Sequence, residues 1–281
     1  MRASQTTALP WSRDRRLWVE LFVLANFAAL ILDVFLAHSE NQFRREAEYI
    51  PLYFSIAATL ALLVILPLRH RWPAVWRDVG HLVGWTGVLV GVAGVILHLD
   101  SRFFYERTIR SLTYAAPFAA PLAYAGLGFL LLVNRLVQPD WEWAQWILLL
   151  ALGGFVGNFV FSLTDHAQNA FFNPLEWVPV ASSALAIGFL AVPFLVRVTV
   201  PFLALCAAVL FMQALVGLLG FVLHAWADLQ QPGLTFFEQM LSGAPPLAPL
   251  LFPNLVVLAL IGLWAWAPAL STDSSSADPA R

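Results

Sequence analysis

The stretch from His166 to Val180, HAQNAFFNPLEWVPV, repeats the stretch from His38 to Leu52, HSENQFRREAEYIPL. Aligned without a gap they share His38/His166, Asn41/Asn169, Phe43/Phe171, Glu48/Glu176 and Pro51/Pro179, all at one constant offset. Two further matches keep almost the same register. GVILH, ending at His98, parallels GFVLH, ending at His224, and APFAAPL from Ala116 parallels APPLAPL from Ala244. A fixed period this long marks a duplicated structural unit.

The medium in which the unit sits follows from composition. Of 281 residues, 60% are hydrophobic and 11% charged, and mean hydropathy is +0.76. Soluble domains carry about twice that share of charge. A bilayer core about 30 Å thick needs roughly 20 apolar residues per helix. Eight stretches qualify: 17–38, 49–68, 80–98, 114–134, 142–164, 177–197, 200–225 and 247–268. The fold expected is an all-α integral membrane protein of about eight transmembrane helices. A segment 1–16 precedes two tandem four-helix units, 17–135 and 136–268, and a tail 269–281 follows. The tail reads as disordered from STDSSSADPAR. Because four is even, both units insert the same way up and are related by a pseudo-twofold axis along the membrane normal.

All 15 basic residues are arginine. Five of them (Arg44, Arg45, Arg102, Arg107, Arg110) fall in the loops opposite the N-terminus and ten on the N-terminal side. The positive-inside rule then places both termini in the cytoplasm and the chain in the cell membrane, of the bacterial plasma-membrane kind. The first span is too long for a signal peptide, and it ends in Asp33 and His38 rather than in small residues. The absence of lysine excludes Schiff-base chemistry and Walker-type phosphate binding. A lone Cys206 excludes a thiolate zinc site and an iron–sulfur cluster. A net charge of -2 gives no sign of a nucleic-acid partner. The partners expected are the lipid bilayer and an apolar small molecule.

Chemistry concentrates at one level. His38, His98, His166 and His224 end helices one, three, five and seven, all on the extracytoplasmic side, while Glu48 and Glu176 open helices two and six at about the same depth. Imidazole and carboxylate are the ligands that iron, zinc, copper(II) and manganese accept without sulfur. Six such groups on a twofold suit one six-coordinate ion or two ions with three ligands each, and two ions bridged by the glutamates would keep open positions. Asn41 and Asn169 stand where they could orient the rings. Simpler roles compete: an end-of-helix histidine can cap carbonyls, and a glutamate opening a helix is favoured by its dipole. Gly94 and Gly220 lie four residues before His98 and His224 and admit either a close helix or a flat ligand such as haem. Asp33 would relay protons or pair with a loop arginine.

The expected function is a membrane metalloprotein with a His/Glu centre at the external face, a redox or hydrolytic enzyme acting on an apolar or membrane-delivered substrate. The first alternative is a bis-histidine haem protein. Eight helices in two four-helix units with four histidines are similar in layout to haem A synthase, in architecture alone, since that family's loop motifs are missing here. The second alternative is a transporter or assembly subunit. The mid-membrane polar residues Asn26, Thr86, Asn158, Ser182, Ser183 and Gln213 are all non-ionisable, which disfavours an ion-coupled carrier.

Overall fold

The computed structural model describes residues 11–276 apart from 237, 240–242 and 246. Among the described residues eight helices dominate: α1 (Arg15–Ser39), α2 (Tyr49–Ile65), α3 (Pro73–Asp100), α4 (Leu122–Leu136), α5 (Asp140–Gln168), α6 (Trp177–Leu195), α7 (Val200–Leu229) and α8 (Leu251–Ser276). Two short helices, Phe103–Glu106 and Ile109–Thr113, lie between α3 and α4. Asp14 caps α1 by accepting from Leu17 N at 3.0 Å, and Pro73 opens α3 where its missing N–H costs nothing.

Seven of these helices are long and apolar enough to cross a membrane, and α4 is a shorter apolar helix. The protein is a multi-pass helical membrane protein. Its helices are apolar outside as well as inside, with Leu82 and Leu89 on α3 70% and 68% exposed and Phe211 on α7 65% exposed. Such a surface is stable against lipid and not against water.

The expectation for the fourth span is corrected. Residues 114–121 form turns, and the helix starts only at Leu122. Pro117 and Pro121 remove two backbone donors, so an apolar run there cannot be helical throughout. The 15 residues of α4 reach about 22 Å. The short helix is enclosed by its neighbours, with Tyr124, Leu127, Leu130 and Leu131 buried, and non-helical backbone is tolerated at depth when protein covers it. The tail is also revised: α8 continues to Ser276, so 271–276 is helical, and residues 277–281 lie outside the described residues.

Helices α1, α2, α3 and α4 pack as a closed ring, each touching the next and α4 returning to α1. Helices α5, α6, α7 and α8 pack in the same cyclic order. The two rings meet where α1 touches α8 and α4 touches α5. Phe27, Leu62 and Leu131 fill the first ring, and Ile147, Leu148, Leu190 and Leu210 fill the second. In the first, α3 and α4 come close enough for a Cβ at Gly84 to lie 3.0 Å from Gly128 O, the small-residue contact usual between membrane helices. Between the rings, Asn26 and Asn254 exchange side-chain hydrogen bonds of 3.1 and 2.6 Å.

Away from the histidines, one charged pair is buried among the described residues. Both Arg135 guanidinium NH2 groups meet the Glu20 carboxylate, one at 3.0 Å, and the two side chains are 0% and 4% exposed. Asn134 donates to Glu20 at 2.7 Å and accepts from Trp143 Nε1 at 3.0 Å. Arg135 also lies 3.5 Å above the Trp76 ring. Arg135, one of the ten arginines counted on the N-terminal side, is thus buried on α4 against α1 and α3.

Candidate metal centres

His38 occupies the last turn of α1, and the chain then reverses through two consecutive left-handed residues, Gln42 (φ 61°) and Phe43 (φ 48°). After α5 the same reversal uses Ala170 (φ 55°) and Phe171 (φ 51°). Residues with a side chain seldom adopt this region, and a bulky one there is an outlier. The bond that closes each turn runs from the phenylalanine N–H to the histidine carbonyl, at 3.0 Å for Phe43 to His38 and 3.2 Å for Phe171 to His166. A 3-10 turn follows in both places, Glu46–Glu48 and Pro174–Glu176, and delivers the glutamate to the start of α2 or α6.

Neither glutamate caps the helix it opens. Glu48 Oε2 lies 3.6 Å from His38 Nδ1, and Glu176 Oε2 lies 3.9 Å from His166 Nδ1. Both Oε2 atoms are enclosed and make no hydrogen bond. At these separations each carboxylate is an electrostatic neighbour of Nδ1, and a metal at Nε2 would leave Nδ1 as the nitrogen that carries the proton on the carboxylate side.

The second histidine of each set is also tied from behind, by backbone. His98 Nδ1 lies 2.9 Å from Pro117 O, and His224 Nδ1 lies 3.0 Å from Pro245 O. As donors at Nδ1, both rings keep Nε2 free as a ligand. The proline loops are themselves held in place. Ala116 N donates to Ser101 Oγ at 2.9 Å, and Ala244 N donates to Asp228 Oδ1 at 2.8 Å. Gly94 and Gly220 admit Pro121 and Pro249: a Cβ would come within 2.7 and 2.9 Å of the proline Cβ. Of the two reasons for those glycines, close packing is the one realised.

The rings of His38 and His98 are 6.3 Å apart between centroids and inclined by 81°; those of His166 and His224 are 6.4 Å apart and inclined by 86°. Because α1 and α3 are opposite corners of one ring of helices, and α5 and α7 of the other, each pair reaches across the mouth of its bundle.

The six expected ligands are therefore brought together three by three, as His38, Glu48, His98 and as His166, Glu176, His224. Among the described residues, no hydrogen bond, ion pair or ring contact joins one set to the other. Nor is any group of three or more His, Cys, Asp or Glu side chains among them placed to hold a metal ion as it stands. Asn41 and Asn169 are exposed and do not orient the rings; the Pro117 and Pro245 carbonyls hold His98 and His224, while Glu48 and Glu176 lie near His38 and His166 without a hydrogen bond. Asp33 pairs with no arginine among the described residues, and His70 accepts from Arg69 at 3.0 Å, apart from the site. Phe43 stacks on Tyr49 at 4.5 Å, and Phe171 stacks on Trp177 at 3.9 Å. The proline carbonyls escape a reading by residue type, although the repeated APFAAPL and APPLAPL could have pointed to them.

The chain matches no known protein family, no curated protein and no solved structure.

Proposed function

We propose that the chain is a tandem duplication of a four-helix unit, and that each unit holds one redox-active transition metal between two imidazoles at the extracytoplasmic face. The duplication is supported by the shared cyclic order of the helices, the paired left-handed turns, and the matching histidine-to-proline contacts of the two halves. The spacing of the rings carries the metal reading. Two imidazoles bound on opposite sides of one ion, through nitrogens about 2 Å from it, have ring centres roughly 6 Å apart, and both pairs stand at 6.3 and 6.4 Å.

A haem iron is one group that such a pair would hold, His38 with His98 in the first half and His166 with His224 in the second, and it would supply electron-transfer chemistry there. Glu48 and Glu176 then act as orienting carboxylates rather than bridges. One observation favours a second reading. An enclosed Oε2 without a hydrogen bond in each set suits a carboxylate that swings onto a bare iron, copper, manganese or zinc ion as a third ligand.

Mass spectrometry of bound metals, together with an absorption spectrum of the purified protein, tests both. Two metals per chain with a Soret band are expected from the first reading, and two metals without that band from the second. His38→Ala should lose one metal and keep the other. A metal-free protein ends the proposal.

A further inference from the structure

Where the two rings of helices meet at the N-terminal end of α1, their seam is open. Between α1 and α8 runs a groove of about 330 Å³, lined by Trp18, Val257, Leu260, Ile261 and Trp264. Ile261 at its floor is only 7% exposed, while Val257, Leu260 and Trp264 stand exposed along it. At one end Asn26 and Asn254 close the seam with their reciprocal amide bonds. At the other the Arg15 guanidinium lies 5.0 Å from the Trp264 ring. From Asn254 to Trp264 the helix rises about 15 Å, which is half of a hydrocarbon core about 30 Å thick. The groove therefore has the length of one leaflet, with a cation at its outer end.

The charges around that cation are already assigned. Asp14 is taken by Arg69 at 2.9 Å, and Arg16 is engaged by the Asn134, Val137 and Gln138 carbonyls and by Asp140. Arg13 and Arg15 form no ion pair among the described residues. An arginine of a plain interfacial belt reaches away toward water. Arg15 is instead half-buried and lies back over an indole, a contact through the guanidinium face that leaves its N–H fork for an anion.

We propose that this seam binds one anionic phospholipid of the leaflet on that side, with the phosphate on Arg15, Arg13 adding charge, and one acyl chain in the groove. The inference needs only the membrane fold and is independent of the metal reading. A free phosphate would meet the cation and leave the apolar trough empty, whereas a phospholipid satisfies both at the spacing the groove sets. A chain seated there touches α1 and α8 together, so the lipid also fastens one ring of helices to the other. In the register that aligns His38 with His166, Arg15 corresponds to Trp143, which is buried. The seam between α4 and α5 thus has no cation at the matching place, and one lipid per chain is expected.

The test is native mass spectrometry of the full chain in detergent, titrated with dioleoyl phosphatidylglycerol or with dioleoyl phosphatidylcholine. One phosphatidylglycerol per chain should be retained, and phosphatidylcholine should bind at least about fivefold more weakly, as the loss of one contact between arginine and an anionic lipid implies. Arg15→Gln, at a helix end where packing is little affected, should weaken phosphatidylglycerol by about fivefold and leave phosphatidylcholine unchanged. Leu260→Trp fills the trough and keeps the charge; it should weaken phosphatidylglycerol as well, which a diffuse attraction of headgroups to a basic rim would not do. Arg77→Gln, on the same side but on α3, should bind like the wild type. Equal retention of the two lipids by the wild type, or an unchanged affinity in either Arg15→Gln or Leu260→Trp, overturns the site. So does a lipid-free dimer that Leu260→Trp dissociates, which would make a second copy of the chain the occupant.

Discussion

At the histidine end, three polar devices occur twice: a left-handed reversal, a glutamate beside one ring, a proline carbonyl behind the other. At the opposite end, the buried Glu20–Arg135 pair stands alone among the described residues. In the register that aligns His38 with His166, Glu20 and Arg135 correspond to Leu148 and Leu263, and Asn134 corresponds to Gly262. If both halves descend from one unit, the first end has been held to its pattern in both copies, whereas the second drifted. Packing alone does not impose the former, since leucine in place of a buried ion pair is an acceptable core solution. The ligand proposed for each half would impose it.

The comparison can be broken most severely at the single pair. Glu20→Ala leaves the Arg135 guanidinium buried without its carboxylate, and a loss of about 3–5 kcal/mol is expected. Denaturant unfolding in detergent measures it, and the metal content of the folded fraction should not change. A Glu20→Leu, Arg135→Leu double variant should recover most of the loss. If metal disappears in step with stability in these variants, the two ends are not independent.

A smaller effect sharpens the other side. Glu48→Gln should weaken metal binding in the first half by about 10–100-fold, as the loss of an orienting carboxylate typically does, and Glu176→Gln should do the same in the second. Competition with a chelator reads each affinity. Loss of both metals from either single substitution would indicate one shared centre in place of two. The smallest effect lies between the rings of helices. Asn26→Leu removes the reciprocal amide pair with Asn254, and about 0.6 kcal/mol is expected, the usual worth of a polar contact between membrane helices. Thermal unfolding should shift slightly, with both centres retained; a loss comparable to that of Glu20→Ala would refute the ranking.

Much of the architecture is legible in the sequence because bilayer thickness sets a length that apolar windows reveal directly. The fourth helix shows where that reading stops. AAPFAAPL is apolar enough to count toward a span, yet hydropathy does not register that Pro117 and Pro121 lack the donors a helix needs. The run STDSSS reads as unstructured on composition, but it simply continues the helix that begins at Leu251, and intrinsic propensity is a weak prior against that. The histidines and glutamates of the site were visible through their repetition. Their grouping into one set of six or two sets of three stays open there, since which helices are neighbours and which are diagonal is a tertiary fact. The Glu20–Arg135 pair left no trace at all: its partners lie on the first and fourth helices, and no local pattern joins them.

The contact of α1 with α8 has a consequence for how the chain is written. Arg15 lies 5.0 Å from the Trp264 ring, and Asn26 clasps Asn254, so the first and last helices are neighbours and the eight form a circuit without a privileged starting point. A gene rearranged to open in the turn between Leu195 and Val200, with a flexible linker joining the old ends, should still give the same circuit.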